Sequence, residues 1–265
     1  MQKVIILLQK EWLEFKQQRG MLFSIILLPL LFTILPVAIF AISRFANLSG
    51  VVNGVSTSSG IGKLPALAGL TPQELVQAVG GLQYSLFYIL LPLMLPSIIA
   101  SYSIIGEKTS RTLEPLLATP IRTWELLVGK SLIALLPSLF ATWIGGIIFI
   151  IATALLAISP HVFAAVITPG WLIMLFLWAP LLSMIAIAAM IAISSRVNDL
   201  RTAQQYSAWA VVPFMILFFG QLFGLIALGT LFALIVFIVL IPLTLLAIWL
   251  TTKIFQREVI LTSWK

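Results

Sequence analysis

Between Ser131 and Ser195 no residue carries a formal charge, and the same holds from Thr202 to Thr252. Uncharged stretches of this length constrain the fold more than any motif in the chain. In water, helices built from them would have no polar face to solvate. In a bilayer, about 20 consecutive apolar residues cover the hydrocarbon core. Composition agrees, because 61% of the residues are hydrophobic and 9% charged, where soluble domains carry about 25% charged residues. The expected fold class is an all-α integral membrane protein. Cysteine is absent, which removes disulfide and thiol chemistry. The net charge of +7 does not point to nucleic acid, since the basic residues flank apolar runs and form no basic face.

Six transmembrane helices are expected, over 21–43, 82–105, 126–158, 171–194, 203–219 and 225–250, within a membrane domain of 21–252. Ser159-Pro160-His161 and Thr168-Pro169-Gly170 divide the first uncharged stretch, and Gly220-Gln221 divides the second. The 220–225 connection is short and apolar, so a simple loop and a re-entrant segment both stay open. Lys3, Lys10, Lys16, Arg19, Lys108, Arg111, Arg122, Lys130, Arg196, Arg201, Lys253, Arg257 and Lys265 fall on one side of this topology, and only Arg44 and Lys63 on the other. The positive-inside rule then makes both termini cytoplasmic, with a tail at 253–265 and an external loop at 44–81. The first apolar run, Val4 to Leu8, is short and followed by Lys10, Glu11 and Glu14, which does not suit a cleavable signal.

Ahead of the first span, Ile5, Leu8, Trp12 and Phe15 share one helical face while Lys3, Gln9, Lys10, Glu14 and Gln17 take much of the other. Residues 1–20 are expected to form an amphipathic helix lying on membrane lipid at the interface. The alternative is an extension of the first span. Pro29, Pro36, Pro92, Pro96, Pro137, Pro180, Pro213 and Pro242 fall inside spans, where proline permits kinks and is common.

Lys130 falls inside the span drawn over 126–158 but is counted with the charged cytoplasmic segment; apart from it, the spans hold no Asp, Glu, Lys, Arg or His. Ion-coupled carriers usually keep ionisable groups at membrane depth, which weakens that class without removing a carbonyl-lined site. His161, the sole histidine, reads as a solvated loop residue. Ser58-Ser59-Gly60-Ile61-Gly62-Lys63-Leu64 faintly resembles a phosphate-binding loop, but Thr57 and Leu64 stand where glycine and a hydroxyl residue belong. No catalytic, metal or cofactor site is expected in the chain. Thr71-Pro72-Gln73-Glu74 reads as a helix start, with Thr71 as the cap.

One polar segment stands out. Gly106 to Lys130 holds Glu107, Lys108, Arg111, Glu114, Arg122, Glu125 and Lys130 between two long apolar runs, and Leu113, Leu116 and Leu117 are spaced for one helical face. Such a segment suits a docking element for a soluble partner. A solvated loop of a self-contained channel, carrier or assembly factor would read similarly.

The run Glu107-Lys108-Thr109-Ser110-Arg111-Thr112-Leu113-Glu114-Pro115-Leu116-Leu117-Ala118-Thr119-Pro120, continued by Glu125-Leu126-Leu127-Val128-Gly129-Lys130, resembles the cytoplasmic loop of ABC-2 type permeases, the membrane subunits of type V ABC exporters. Lys10-Glu11-Trp12-Leu13-Glu14-Phe15 with Arg19-Gly20 resembles that family's elbow helix. The resemblance implies a coupling helix between spans 2 and 3, within 106–125, that docks on a separate ABC ATPase. Glu107 and Arg111 would make polar contacts there. Leu113, Leu116 and Leu117 would supply buried area, with Glu114 near the start of the helix, and Thr119 and Pro120 would end it. ATP and Mg would belong to the ATPase. A second permease copy or a paralogue would complete the pathway, in the plasma membrane, and export would be the direction of transport. Phe87, Tyr88, Trp143, Trp178, Trp209 and Phe214 are candidates to face an apolar cargo, although such residues more often face lipid or pack between helices.

Overall fold

The computed structural model describes residues 19–45, 69–109, 123–197 and 229–254, together with isolated positions in 9–13, at 67 and in 202–220. Every regular element among them is helical: α1 (Arg19–Phe45), α2 (Pro72–Ser85), α3 (Phe87–Thr109), α4 (Thr123–Leu156), α5 (Pro160–Val166), α6 (Pro169–Ile173), a π-helical turn (Met174–Trp178), α7 (Ala179–Arg196) and α8 (Thr230–Ile254). Five stretches among the described residues are long and apolar enough to cross a membrane: Ile25–Phe45, Pro72–Ser103, Glu125–Leu156, Pro169–Ser194 and Thr230–Lys253. The expected span at 203–219 falls largely outside the described residues, where Thr202, Gln205, Val212, Phe214 to Ile216, Phe219 and Gly220 are helical.

The breaks follow local chemistry. Pro72 occupies the first turn of α2, where its missing N–H costs nothing. The Glu74 carboxylate reaches back to accept from the Thr71 N–H (2.7 Å) and hydroxyl (2.8 Å), which is half of a capping box. Ser159 and His161 lie beside that carboxylate, and His161 sits in the short helix α5 with its side chain exposed, in place of the expected loop. Thr168 caps α6 by accepting from the Trp171 N–H at 3.2 Å. Thus α2 occupies part of the stretch expected to connect the first two spans, and it runs into α3 through a single turn at Leu86.

α3 is the central helix and packs against α1, α4 and α7; α8 joins the bundle on α7, α6 and the π turn. The core is built from residues such as Leu91, Leu95, Ile99, Ala134, Phe149, Trp178, Leu182 and Met190. Small residues allow close approach. A Cβ on Gly81 would stand 2.7 Å from both the Phe40 ring and Val166, and one on Gly146 2.5 Å from Leu175. Polar side chains also turn inward. Thr33, Ser97, Ser138, Thr142 and Thr244 are buried, and each hydroxyl donates to the carbonyl four residues earlier, as membrane helices require.

Hydrogen bonds show which helix ends lie together. Arg44 Nη1, at the close of α1, donates to the Leu155 carbonyl at the close of α4 (2.6 Å). At the opposite end, Lys130 near the start of α4 meets Ser103 near the close of α3. The Trp178 indole donates to the Ala233 carbonyl (2.9 Å) and the Thr251 hydroxyl to the Ala188 carbonyl (2.9 Å). These two bonds make α7 and α8 parallel, both running from the Arg44 end to the Lys130 end.

Candidate functional site

The structure brings together the two roots of the charged segment. α3 continues through Glu107 to Thr109, and α4 begins at Thr123 with Glu125 in its first turn, where a carboxylate suits the helix dipole. Residues 110–122, with Arg111, Leu113, Glu114, Leu116, Leu117, Thr119 and Pro120, lie outside the described residues, and Glu107 is placed only as a residue of α3. Ile5, Leu8 and Phe15 also lie outside them. Trp12 is helical and 42% exposed.

Below those roots is a polar contact that the sequence reading placed differently. Lys130, counted with the loop, is 2% exposed and sits inside the bundle. Its Nζ donates to the Ser103 hydroxyl at 2.9 Å and to the Ser103 carbonyl at 3.3 Å. A span-bearing helix therefore does contain a buried lysine, which corrects the expectation of spans without ionisable groups. A signal existed. Leu126, Leu127, Ile133 and Ala134 are buried, and Lys130 falls three and four residues from each pair, on the same face.

The Arg44 end is knitted more densely. Gln77 is fully buried. Its Nε2 donates to the Phe40 carbonyl (3.1 Å) and the Leu156 carbonyl (3.0 Å), and its Oε1 accepts from the Ile158 N–H (2.9 Å). One amide thus ties α1, through a Phe40 carbonyl that also accepts from the Ser43 hydroxyl, to backbone groups at the close of α4, where a helix runs short of internal partners. The Tyr88 hydroxyl joins α3 to the Gly145 carbonyl and to the Thr33 hydroxyl, both at 3.1 Å. Tyr88, Phe149 and Trp171 form a mutual ring cluster with centroids 5.5 to 5.8 Å apart.

Several aromatic candidates for a cargo surface resolve as packing. Tyr88 and Trp178 are buried, 2% and 0% exposed. Trp143 donates its indole N–H to the Leu175 carbonyl in the π turn (3.1 Å). Phe87 lies 5.1 Å from the Phe32 ring centroid, Phe214 is buried, and Trp209 is outside the described residues. Among the described residues, apolar grooves also lie between the helices. One of about 540 Å³ runs between α1 and α4, past Pro29, Thr33, Pro137 and Gly145. Another of about 220 Å³ lies between α4, α7 and α8 near Leu127, Ile187 and Thr251. Among the described residues, no group of His, Cys, Asp and Glu could hold a metal ion.

A family model described as ABC-2 family transporter protein matches residues 5–246. No curated protein and no solved structure gives a significant match. The family match takes in the charged segment, both of its helical roots and most of α8, and on that extent the chain belongs to the ABC-2 family of transporter proteins.

Proposed function

We propose that the chain is the permease subunit of an ATP-driven transporter, works as an exporter in the plasma membrane, and couples to a separate ABC ATPase through the 106–125 loop. The observation that carries this reading is the pairing of the loop's roots. The close of α3 and the start of α4 are hydrogen-bonded through Lys130 and Ser103, so anything that moves the intervening segment acts on two spans at once. Nucleotide energy reaches a transport pathway only if a docked interface differs between the pathway's two states. Loop displacement that tilts α3 and α4 supplies such a difference. Leu113, Leu116 and Leu117 supply the apolar contact, Glu107, Arg111 and Glu114 the polar one, and Thr119-Pro120 the turn into α4. ATP and Mg sit in the ATPase. Residues 1–20 act as the elbow helix against lipid, with Ile5, Leu8, Trp12 and Phe15 facing the membrane.

Six spans fit this reading. Because α7 and α8 run parallel, a crossing segment between them returns the chain to the Arg44 end, as a fifth span at 203–219 does. Both termini are then cytoplasmic, with the Lys130 end inside. A second copy or a paralogue completes the pathway.

The test is purification of the tagged chain in mild detergent from its native host, with mass spectrometry of its companions. A stoichiometric ABC ATPase that is lost on Leu116→Asp, with membrane insertion intact, is the expected result. An ATPase-free oligomer that survives crosslinking controls sinks the reading in favour of a self-contained channel or carrier. Unchanged ATPase affinity in the Leu116→Asp variant removes that residue from the dock.

A further inference from the structure

The loop reading leaves open how a force on residues 110–122 enters the membrane domain. Lys130 and Ser103 lie at matched depth. Lys130 is seven residues into α4 from Thr123, and Ser103 six residues before the close of α3 at Thr109, so at 1.5 Å per residue each is about 10 Å from its helix end. Burying a lysine is costly unless its donors are used, and here Nζ is held by both the hydroxyl and the carbonyl of one residue on the facing helix. Carbonyl and hydroxyl together fix a direction as well as a distance. Leu126, Leu127, Ile133, Ala100 and Ile105, all buried and apolar, add packing on the same two helices.

We propose that Lys130, through Ser103, is a positioning residue that holds the two roots of the 110–122 segment at one spacing, so that loop motion reaches α3 and α4 as a single body. The proposal rests on the reading of that loop as the ATPase dock. With the Lys130 bond cut, the roots separate or slide, and loop motion is absorbed before it reaches the bundle. Lipid tails are as apolar as the partner helix, so an interhelical hydrogen bond adds a fixed register to what packing supplies.

The chain has no cysteine, so Thr109→Cys and Thr123→Cys give a unique pair of spin-label sites at the two roots. Distances between them are measured by pulsed electron resonance on the full chain in lipid nanodiscs, alone and with the ATPase that copurifies with the wild type. The expected result is one narrow distance in the wild type, broadened about twofold by Lys130→Met and partly by Ser103→Ala, and restored by Lys130→Arg. Permease-dependent change in ATP hydrolysis falls at least about tenfold in Lys130→Met, the low end for losing charge-assisted hydrogen bonds, while ATPase affinity stays near wild type. A Lys130→Met distribution as narrow as the wild type overturns the proposal, and so does equal broadening in Lys130→Arg. If Lys130→Met does not fold, Ser103→Ala decides between the same outcomes. Should no ATPase accompany even the wild type, the docking reading fails, and the distance distributions still judge the clamp.

Discussion

The α2–α3 span and α8 are both apolar enough to cross a membrane, yet they occupy opposite situations. Of the most apolar stretch in Pro72–Ser103, 78% is buried inside the protein, against 17% in α8, although α8 is the more hydrophobic of the two. In a soluble protein the greasiest helix is the most buried. Here the order is inverted because lipid tails are as apolar as leucine, so burial against protein needs small residues and hydrogen bonds instead of hydropathy. The α2–α3 span has both, in Gly81 against Phe40 and in Gln77 and Tyr88 bonded to α1 and α4. α8 presents Leu231, Ile235, Ile238, Val239, Leu245 and Leu246 outward and is tied to its neighbours at Ala233 and Thr251.

Substitutions can break or sharpen this contrast. The largest effect is expected from Trp178→Ala, which empties a fully buried site and cuts the tie to Ala233. A loss of about 4 kcal/mol is expected, and equilibrium unfolding in mixed micelles would measure it. A loss below about 1 kcal/mol would mean that α8 is held elsewhere. Next comes Gly81→Val, whose added carbon meets two side chains at 2.7 Å. Overpacking of this kind costs about 3 kcal/mol and would show as a lowered melting temperature in detergent. Gln77→Leu removes the bonds to the Phe40 and Leu156 carbonyls and from the Ile158 N–H, while the Phe40 carbonyl keeps the Ser43 hydroxyl. At roughly 0.6 kcal/mol per interhelical bond in membranes, the expected loss is about 2 kcal/mol, and faster hydrogen exchange around Leu156 to Ile158 should accompany it. Tyr88→Phe keeps the ring cluster and removes one hydroxyl, for about 1 kcal/mol in the same unfolding assay. Leu246→Ala on α8, half exposed, should change stability by less than about 0.5 kcal/mol. A larger loss there would show that a second chain covers α8.

Some of this contrast was legible in the residues. The uncharged stretches gave spans close to α1, α4, α6–α7 and α8, and Thr71-Pro72-Gln73-Glu74 marked the start of α2. Those signals are local, since a run of apolar residues or a cap needs no knowledge of its neighbours. Gln77, Arg44 and Ser103 carried no comparable mark, because their partners lie on other helices: Gln77 bonds across to Phe40 and Leu156, and Ser103 to Lys130. Lys130 was read with the loop because its charge outweighed its position on the buried face of α4. The aromatic candidates fared similarly, as nothing in the sequence around Tyr88 or Trp178 says whether a ring meets cargo, lipid or another helix. The loop residues from Arg111 to Pro120 lie outside the described residues, and their assignment still rests on the resemblance and on the roots that flank them.

By itself, the sequence determined that this chain is helical, that it spans a membrane repeatedly, and that one charged segment joins two spans. Hydropathy and charge decide those matters residue by residue against a uniform solvent. Only the tertiary structure decided which helix is central, that Lys130 is buried against Ser103, and that α7 and α8 run parallel. The reason is that inside a bilayer the solvent no longer sorts helices by hydrophobicity. Position is set instead by close approach at glycine and by hydrogen bonds between residues far apart in the chain, such as Gln77 to Leu156 and Trp178 to Ala233.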